Sequence, residues 1–248
     1  MKLSSTGLKD LRATSLRGQG MWEEFDFAEG MFKYCFYQND FLRFPDYDAT
    51  NEWTLTQDAV AGGTVVLSDD IDLGELIITP HTDDNDWCEF QFTAANAAGE
   101  FVSLAALKGL FFEVRVKLAD ITECDAFVGL CITDADISDA GAGVPAATDY
   151  IGFAKDDGDA YWDFVAAKNS VETAKAAAAT GVNDTYVILG FYIDGTAKAH
   201  SWINGVKGPV ITTNLPDDEQ LCFTFLSQNG AGAANVMKVD YFQLARER

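Results

Sequence analysis

The chain has 248 residues, 48% hydrophobic and 12% aromatic, enough to bury a sizeable core, and its formal net charge is −22 at pH 7. So acidic a surface excludes binding of nucleic acid phosphates through the body of the protein. No apolar run approaches the ~18 residues of a membrane helix, and five scattered cysteines, with no C-x-x-C pair, exclude a disulfide framework and a cysteine zinc site.

The charge is unevenly spread. Residues 1–20 carry Lys2, Lys9, Arg12 and Arg17 against Asp10, a net +3, which leaves 13 basic and 38 acidic side chains and a net −25 in residues 21–248. The chain therefore divides into a basic N-terminal arm, 1–20, and one domain, 21–248. The opening MKLSSTGLKDLRATSLRGQG lacks the continuous apolar core of a signal peptide, so synthesis in the cytosol is expected. Lys2, Lys9, Arg12 and Arg17 could dock the arm on an acidic partner; a disordered arm attached to a solubilising acidic body gives the same composition. Cys35, Cys88, Cys124, Cys131 and Cys222 are expected as buried free thiols.

From residue 21 onward, short β-branched and aromatic runs alternate with Gly, Asn, Asp and Pro clusters, the pattern of an all-β chain. The first run, WEEFDFAEG (22–30), raises a question of chemistry. Retaining glycosidases hold two carboxyl groups about 5–5.5 Å apart. Same-face residues of a strand repeat every ~6.6 Å, so a bulged strand could converge Glu24, Asp26 and Glu29. The same letters also describe a strand with Trp22, Phe25 and Phe27 inward and the acids in water. Because the run follows directly on the arm, the solvated reading is preferred, and no catalytic residue is assigned.

Strands are expected at 22–27, 31–37, 52–56, 64–67, 75–79, 87–93, 110–118, 126–132, 150–154, 161–166, 185–193, 197–203, 210–212, 221–227 and 236–244. That number implies two packed antiparallel sheets. In 110–118, Phe112, Val114, Val116 and Leu118 alternate with Phe111, Glu113, Arg115 and Lys117, as in a strand buried on one face. The segment SVETAKAAAA (170–179) is the one helical candidate, capped by Asn169 or Ser170 and stopped by Gly181; a small-residue loop is the alternative. In HTDDNDWCEF (81–90), His81, Asp83, Asp84, Asp86 and Glu89 offer ligand atoms, but neighbouring acids need not converge on an ion, and a solvated turn is expected. Asp134, Asp136 and Asp139 lack the glutamate that would complete an EF-hand loop. Neither His81 nor His200 lies in a nucleophile motif, and phosphate-cradling glycine loops are absent. No cofactor is expected.

The stretch GFYIDGTAKAHSWINGVKG (190–208) reads as two hairpins, with turns at Asp194-Gly195 and Asn204-Gly205. A three-residue loop at 194–196, pairing Ile193 with Ala197, places Val187, Leu189, Phe191, Ala199, Ser201 and Ile203 on one apolar face. Tyr186, Ile188, Tyr192, Lys198, His200 and Trp202 then share the other. Tyr186, Tyr192, His200 and Trp202 are the candidate ligand or interface residues: they could stack a sugar, or pack beneath a crossing loop or against another subunit.

Strands ending in YIDG and WINGV resemble the hairpins of concanavalin-like jelly rolls, the fold shared by legume lectins, laminin-G modules and laminarinase-type glycosidases. The E-F-D-F-A-E run resembles the laminarinase-family motif, although in that family the motif lies deeper in the sandwich. The ending NVMKVDYFQLARER resembles the last strand of concanavalin-like proteins of tailed bacteriophages, which close on a V-D-Y-x-x-x-A-x-x-R run; this likeness is carried by residues 184–248. It implies a two-sheet antiparallel jelly-roll sandwich with an extended N-terminal arm, serving as a non-enzymatic virion structural protein. The expected role is decoration or cementing of a phage head, with a capsid or other virion protein as partner, a homo-oligomer (a trimer by capsid symmetry), and residence in the virion after synthesis in host cytoplasm. No nucleic acid or membrane partner is expected. The alternatives are a carbohydrate-binding module of a phage tail or fibre, and a laminarinase-like glycosidase using Glu24 and Glu29.

Overall fold

A computed structural model describes residues 21–23, 33–41, 52–58, 62–68, 74–93, 102–104, 109–138, 143–195 and 197–248. Their strands are β1 (Tyr34–Asn39), β2 (Trp53–Gln57), β3 (Thr64–Leu67), β4 (Leu76–Thr79), β5 (Trp87–Phe92), β6 (Val102–Ser103), β7 (Leu110–Leu118) and β8 (Cys124–Cys131), followed by β9 (Tyr150–Lys155), β10 (Tyr161–Lys168), β11 (Val171–Thr180), β12 (Val187–Asp194), β13 (Lys198–Ile203), β14 (Val206–Ile211), β15 (Gln220–Asn229) and β16 (Met237–Glu247). Sheet A has the order β14-β13-β12-β7-β16-β4-β3, with β1 also on β16; sheet B has the order β11-β10-β9-β8-β15-β5-β2, with β6 also on β15. Every pairing is antiparallel, so the chain builds an all-β jelly-roll sandwich. Among the described residues no helix is long and apolar enough to cross a membrane.

The core lies between the inner faces, where alternate residues of both sheets meet. Trp53 stacks on Phe90 with centroids 4.6 Å apart, and Phe223 meets Phe242 edge-on at 4.5 Å. Such contacts bury large apolar area and add pair energy beyond it. The core also decides which hairpin registers are allowed. Asp194 pairs with Lys198 and Ile193 with Ala199, so the three-residue loop lies at 195–197, one position later than expected. A shift of two in pairing preserves the faces, and Val187, Leu189, Phe191, Ala199 and Ser201 are buried as the apolar pattern requires. At the next turn Asn204 and Gly205 both have positive φ, 49° and 79°, as a two-residue hairpin needs.

Several expectations are corrected. Residues 171–180 form strand β11 on β10, not a helix: alanine favours helix locally, but the free edge of β10 supplies a hydrogen-bonding template. A bulge at Trp162/Phe164 accommodates Ala177, whose φ is 54° and whose N–H donates to Asp163 at 2.6 Å. Strand β6, two residues long, carries too little pattern to be read from sequence. Met21–Glu23 form a 3₁₀ turn where a strand was expected to begin. Strand β7 is buried on both faces at Phe111 and Glu113, because Met21 and Trp22 lie on its outer side. Finally, Cys88, Cys124, Cys131 and Cys222 are buried free thiols, whereas Cys35 is exposed on β1.

Candidate functional site

The outer face of sheet A carries the aromatic residues singled out by the hairpin pattern. Tyr192 stacks on Phe111 with centroids 4.3 Å apart and has His200 on its other side at 6.3 Å. Phe111 is stacked in turn by Trp22 at 5.6 Å, and Tyr34 meets it edge-on at 6.0 Å. Met21, Trp22, Phe111 and Ala245 form a small buried cluster against which Tyr192 and Trp202 pack. This geometry depends on Gly190: a Cβ there would lie 3.3 Å from the Met21 methyl and 3.0 Å from the Phe112 carbonyl. The sheet is thus notched where the N-terminal segment crosses it.

Glu113 fixes this crossing. Its Oε2 accepts the Trp22 indole N–H at 3.0 Å, and its Oε1 accepts from the Tyr241 hydroxyl at 3.0 Å and the Gln243 amide at 2.8 Å. Burial raises its pKa while these three donors oppose the shift. His200 Nε2 lies 3.1 Å from Asp194, but the buried His200 Nδ1 and Trp202 Nε1 have no hydrogen-bond partner among the described residues.

Tyr186 is not part of this aromatic group. Its hydroxyl donates to Glu75, and its ring lies under Arg115, at 3.8 Å, and Lys117, at 4.7 Å. The four candidate residues therefore divide into an aromatic group, Tyr192, His200 and Trp202, and a charged group around Tyr186. The arm residues Lys2, Lys9, Arg12 and Arg17, and the acids Glu24, Asp26 and Glu29, lie outside the described residues.

Sheet B has a different outer face. Phe127, Tyr150, Val165 and Leu226 form a second apolar cluster, onto which Ile137 and Val144 of the β8–β9 connection fold. Two side chains of β5 tie this connection down. Gln91 donates to the Ile132 carbonyl at 3.0 Å and accepts from Asp134 N–H at 3.2 Å, while Glu89 accepts from Ile137 N–H at 3.2 Å. Glu89 is fully buried, and burial together with the charges of Asp134 and Asp136 pushes its pKa up to about 8. It would be protonated at neutral pH, and only its local setting, not the sequence, could reveal that. Beside the connection lies a cavity of about 320 Å³ lined by Tyr150, Asp156, Asp163 and Glu172. The Tyr150 hydroxyl donates to Glu172, and burial raises the pKa of Asp156 and Asp163, with the charges of Asp163 and Asp159 adding to it at Asp156 and those of Asp159 and Glu172 at Asp163. These acids come from the turn between β9 and β10, from β10 and from β11, too far apart in sequence to form a motif.

In the β4–β5 loop, ligand atoms of His81, Asp83 and Asp86 lie within 4.8 Å of one another. They are already engaged: Asp86 Oδ2 lies 2.9 Å from His81 Nδ1 and accepts from Asp83 N–H at 2.9 Å. Burial opposes ionisation of Asp86, but the Asp83 N–H and His81 together hold its pKa below the usual value. Glu89, grouped by the sequence with the same possible ligands, points instead to the sheet B face.

No protein-family model matches the chain, and no curated protein matches it. Solved structures do. A protein of unknown function from Shewanella oneidensis MR-1 is 12% identical over 100% of this chain and 95% of its own, with a TM-score of 0.55. A glycoside hydrolase family 16 protein from Bacteroides ovatus, solved with a glucan product, is 13% identical over 84% of this chain and 99% of its own, with a TM-score of 0.58. Peanut lectin is 12% identical over 86% and 97%, with a TM-score of 0.55. Lectins and glycosidases are alike in this respect, so what the likeness shows is the concanavalin-like jelly-roll fold.

Proposed function

We propose that the chain is a non-enzymatic virion structural protein that decorates a phage head as a symmetric oligomer, a trimer being favoured by capsid symmetry, and attaches through its basic N-terminal arm. The observation that carries this reading is the docking of Met21 and Trp22, 1% and 3% exposed, on the outer face of sheet A. The arm precedes these two residues directly, so it leaves the domain from a fixed point and not from a loose end. A basic segment rooted in this way can lie along an acidic surface, adding buried area to a junction between subunits. The resemblance of residues 184–248 to phage proteins supports the virion setting. Deleting residues 1–20 is expected to abolish attachment to the native particle while the β-rich circular dichroism spectrum is retained. Unchanged attachment by the truncated protein refutes the role of the arm.

A second reading, a carbohydrate-binding module, draws on the cavity at Tyr150, Asp156, Asp163 and Glu172. Its size is at the lower end for small-ligand sites, and its oxygens could accept hydrogen bonds from sugar hydroxyls. The lectins among the structural neighbours support it as analogy only. A saccharide that changes the tryptophan fluorescence of wild type, but not of a Glu172→Ala variant, would favour this reading over the first.

A further inference from the structure

The two outer faces differ in their balance of charged side chains. On sheet A, Arg115, Lys117 and Lys238 gather around Tyr186. Glu75 receives Lys238 at 3.2 Å and Lys117 at 3.8 Å, and Asp240 receives Arg115 at 2.5 Å, so three cations share two carboxylates. Farther across the same face, Lys198 and Lys207 are exposed, with the Lys207 ammonium 5.8 Å from the Trp202 ring centre. On sheet B, Asp125, Asp156, Asp163 and Glu172 crowd together. Burial first, and then neighbouring acids, hold the carboxyl groups of the three aspartates above their usual range. The nearby Lys155 does little to offset them at the surface, because its side chain is buried and donates to the carbonyls of Cys124 and Asp156.

In a body of net charge −25, a face with excess positive charge is a specific departure from composition. We infer that the outer face of sheet A, centred on Tyr186, Lys198, Lys207 and Lys238, docks onto an acidic protein surface. This rests on the attachment reading above, since the arm, net +3, leaves the domain on this same face, and it adds the surface that the arm would bring into register. A protein partner fits better than a polyphosphate. Glu75 and Asp240 are interleaved with the cations, which suits a surface of mixed but net acidic charge and sets like charges against a uniform polyanion. The acidic face of sheet B would point away from the partner.

The test uses the full-length protein at low ionic strength, with two probes: an immobilised 20-residue peptide in which lysines are interspersed among a majority of glutamates, so that its charge is mixed but net acidic, and a DNA duplex of 20 base pairs as the uniform polyanion. Lys198→Glu/Lys207→Glu, both at exposed positions, is expected to weaken peptide binding about tenfold, and Lys198→Arg/Lys207→Arg to restore it. A second full-length variant, with Lys2, Lys9, Arg12 and Arg17 all replaced by Gln, tests the arm separately. If face reversal leaves peptide binding unchanged while arm neutralisation abolishes it, the docking face is refuted and the arm stands. If only face reversal matters, the face stands and the arm falls. Tighter binding of the duplex than of the peptide overturns the choice of partner. Self-association in sedimentation that is sensitive to Lys198→Glu/Lys207→Glu, without peptide binding, overturns it in favour of a second copy.

Discussion

Glu89 links burial to pH in a way that can be measured. Its folded pKa is about 8 against an ordinary 4.5, so between those values the folded state holds a proton that the unfolded chain has released. Stability is therefore complete below pH 4.5 with respect to this group, falls as pH rises, and levels off above 8. A span of 3.5 units at ~1.4 kcal/mol per unit gives about 5 kcal/mol. This is an upper bound, because loosening of the 132–138 connection would let water reach an ionised Glu89 at lower cost. Glu89→Gln keeps an acceptor for the Ile137 N–H and removes the titration. In urea unfolding from pH 5 to pH 9, the variant should match wild type or fall about 1 kcal/mol below it at pH 5, then gain progressively and exceed it by several kcal/mol at pH 9. All other titrating groups are common to both proteins, so the difference isolates this carboxyl. A difference that stays constant within about 0.5 kcal/mol across the range would refute the buried-acid argument.

Trp22→Phe keeps the stacking on Phe111 but withdraws one donor from Glu113, and should cost about 1–2 kcal/mol in chemical denaturation. Trp22→Ala removes the ring as well and should cost about 3–5 kcal/mol; equal effects of the two would mean that stacking contributes nothing. Gly129 and Gly152 face each other across β8 and β9 beneath the ring of Phe127. A Cβ on Gly152 would lie 2.5 Å from the Val128 carbonyl oxygen and 2.8 Å from the Gly129 Cα, so Gly152→Ala should lower stability by about 1–3 kcal/mol in a thermal melt. The opposite sign, a gain from reduced chain entropy, would show that the two strands can separate without loss.

Most strands were legible because their pattern is local. Residues 64–67 and 110–118 were bounded correctly by alternation and turn residues alone. Residues 171–180 were not, because a run of alanines states a helix preference that only a neighbouring strand edge can overrule. The aromatic face of β12 and β13 was legible as a face, since a strand's two-residue period fixes which side chains travel together. Its division was not. Tyr186 joins Arg115 and Glu75 while Tyr192 joins Phe111 and Trp22, and those partners come from β7, the segment before β4 and the N-terminal turn.

The amino-acid sequence by itself determined the all-β class, the two-sheet sandwich, the hairpin faces and the contrast between a basic arm and an acidic body, since each rests on short-range periodicity or on composition. Only the tertiary structure decided that Met21 and Trp22 lie over Phe111 on the outer face of sheet A, that Glu89 of β5 is buried beneath the β8–β9 connection, and that the two outer faces differ in their balance of charge. Those are properties of which strands become neighbours. Neighbour choice is set by long-range burial, and no local run of residues encodes it.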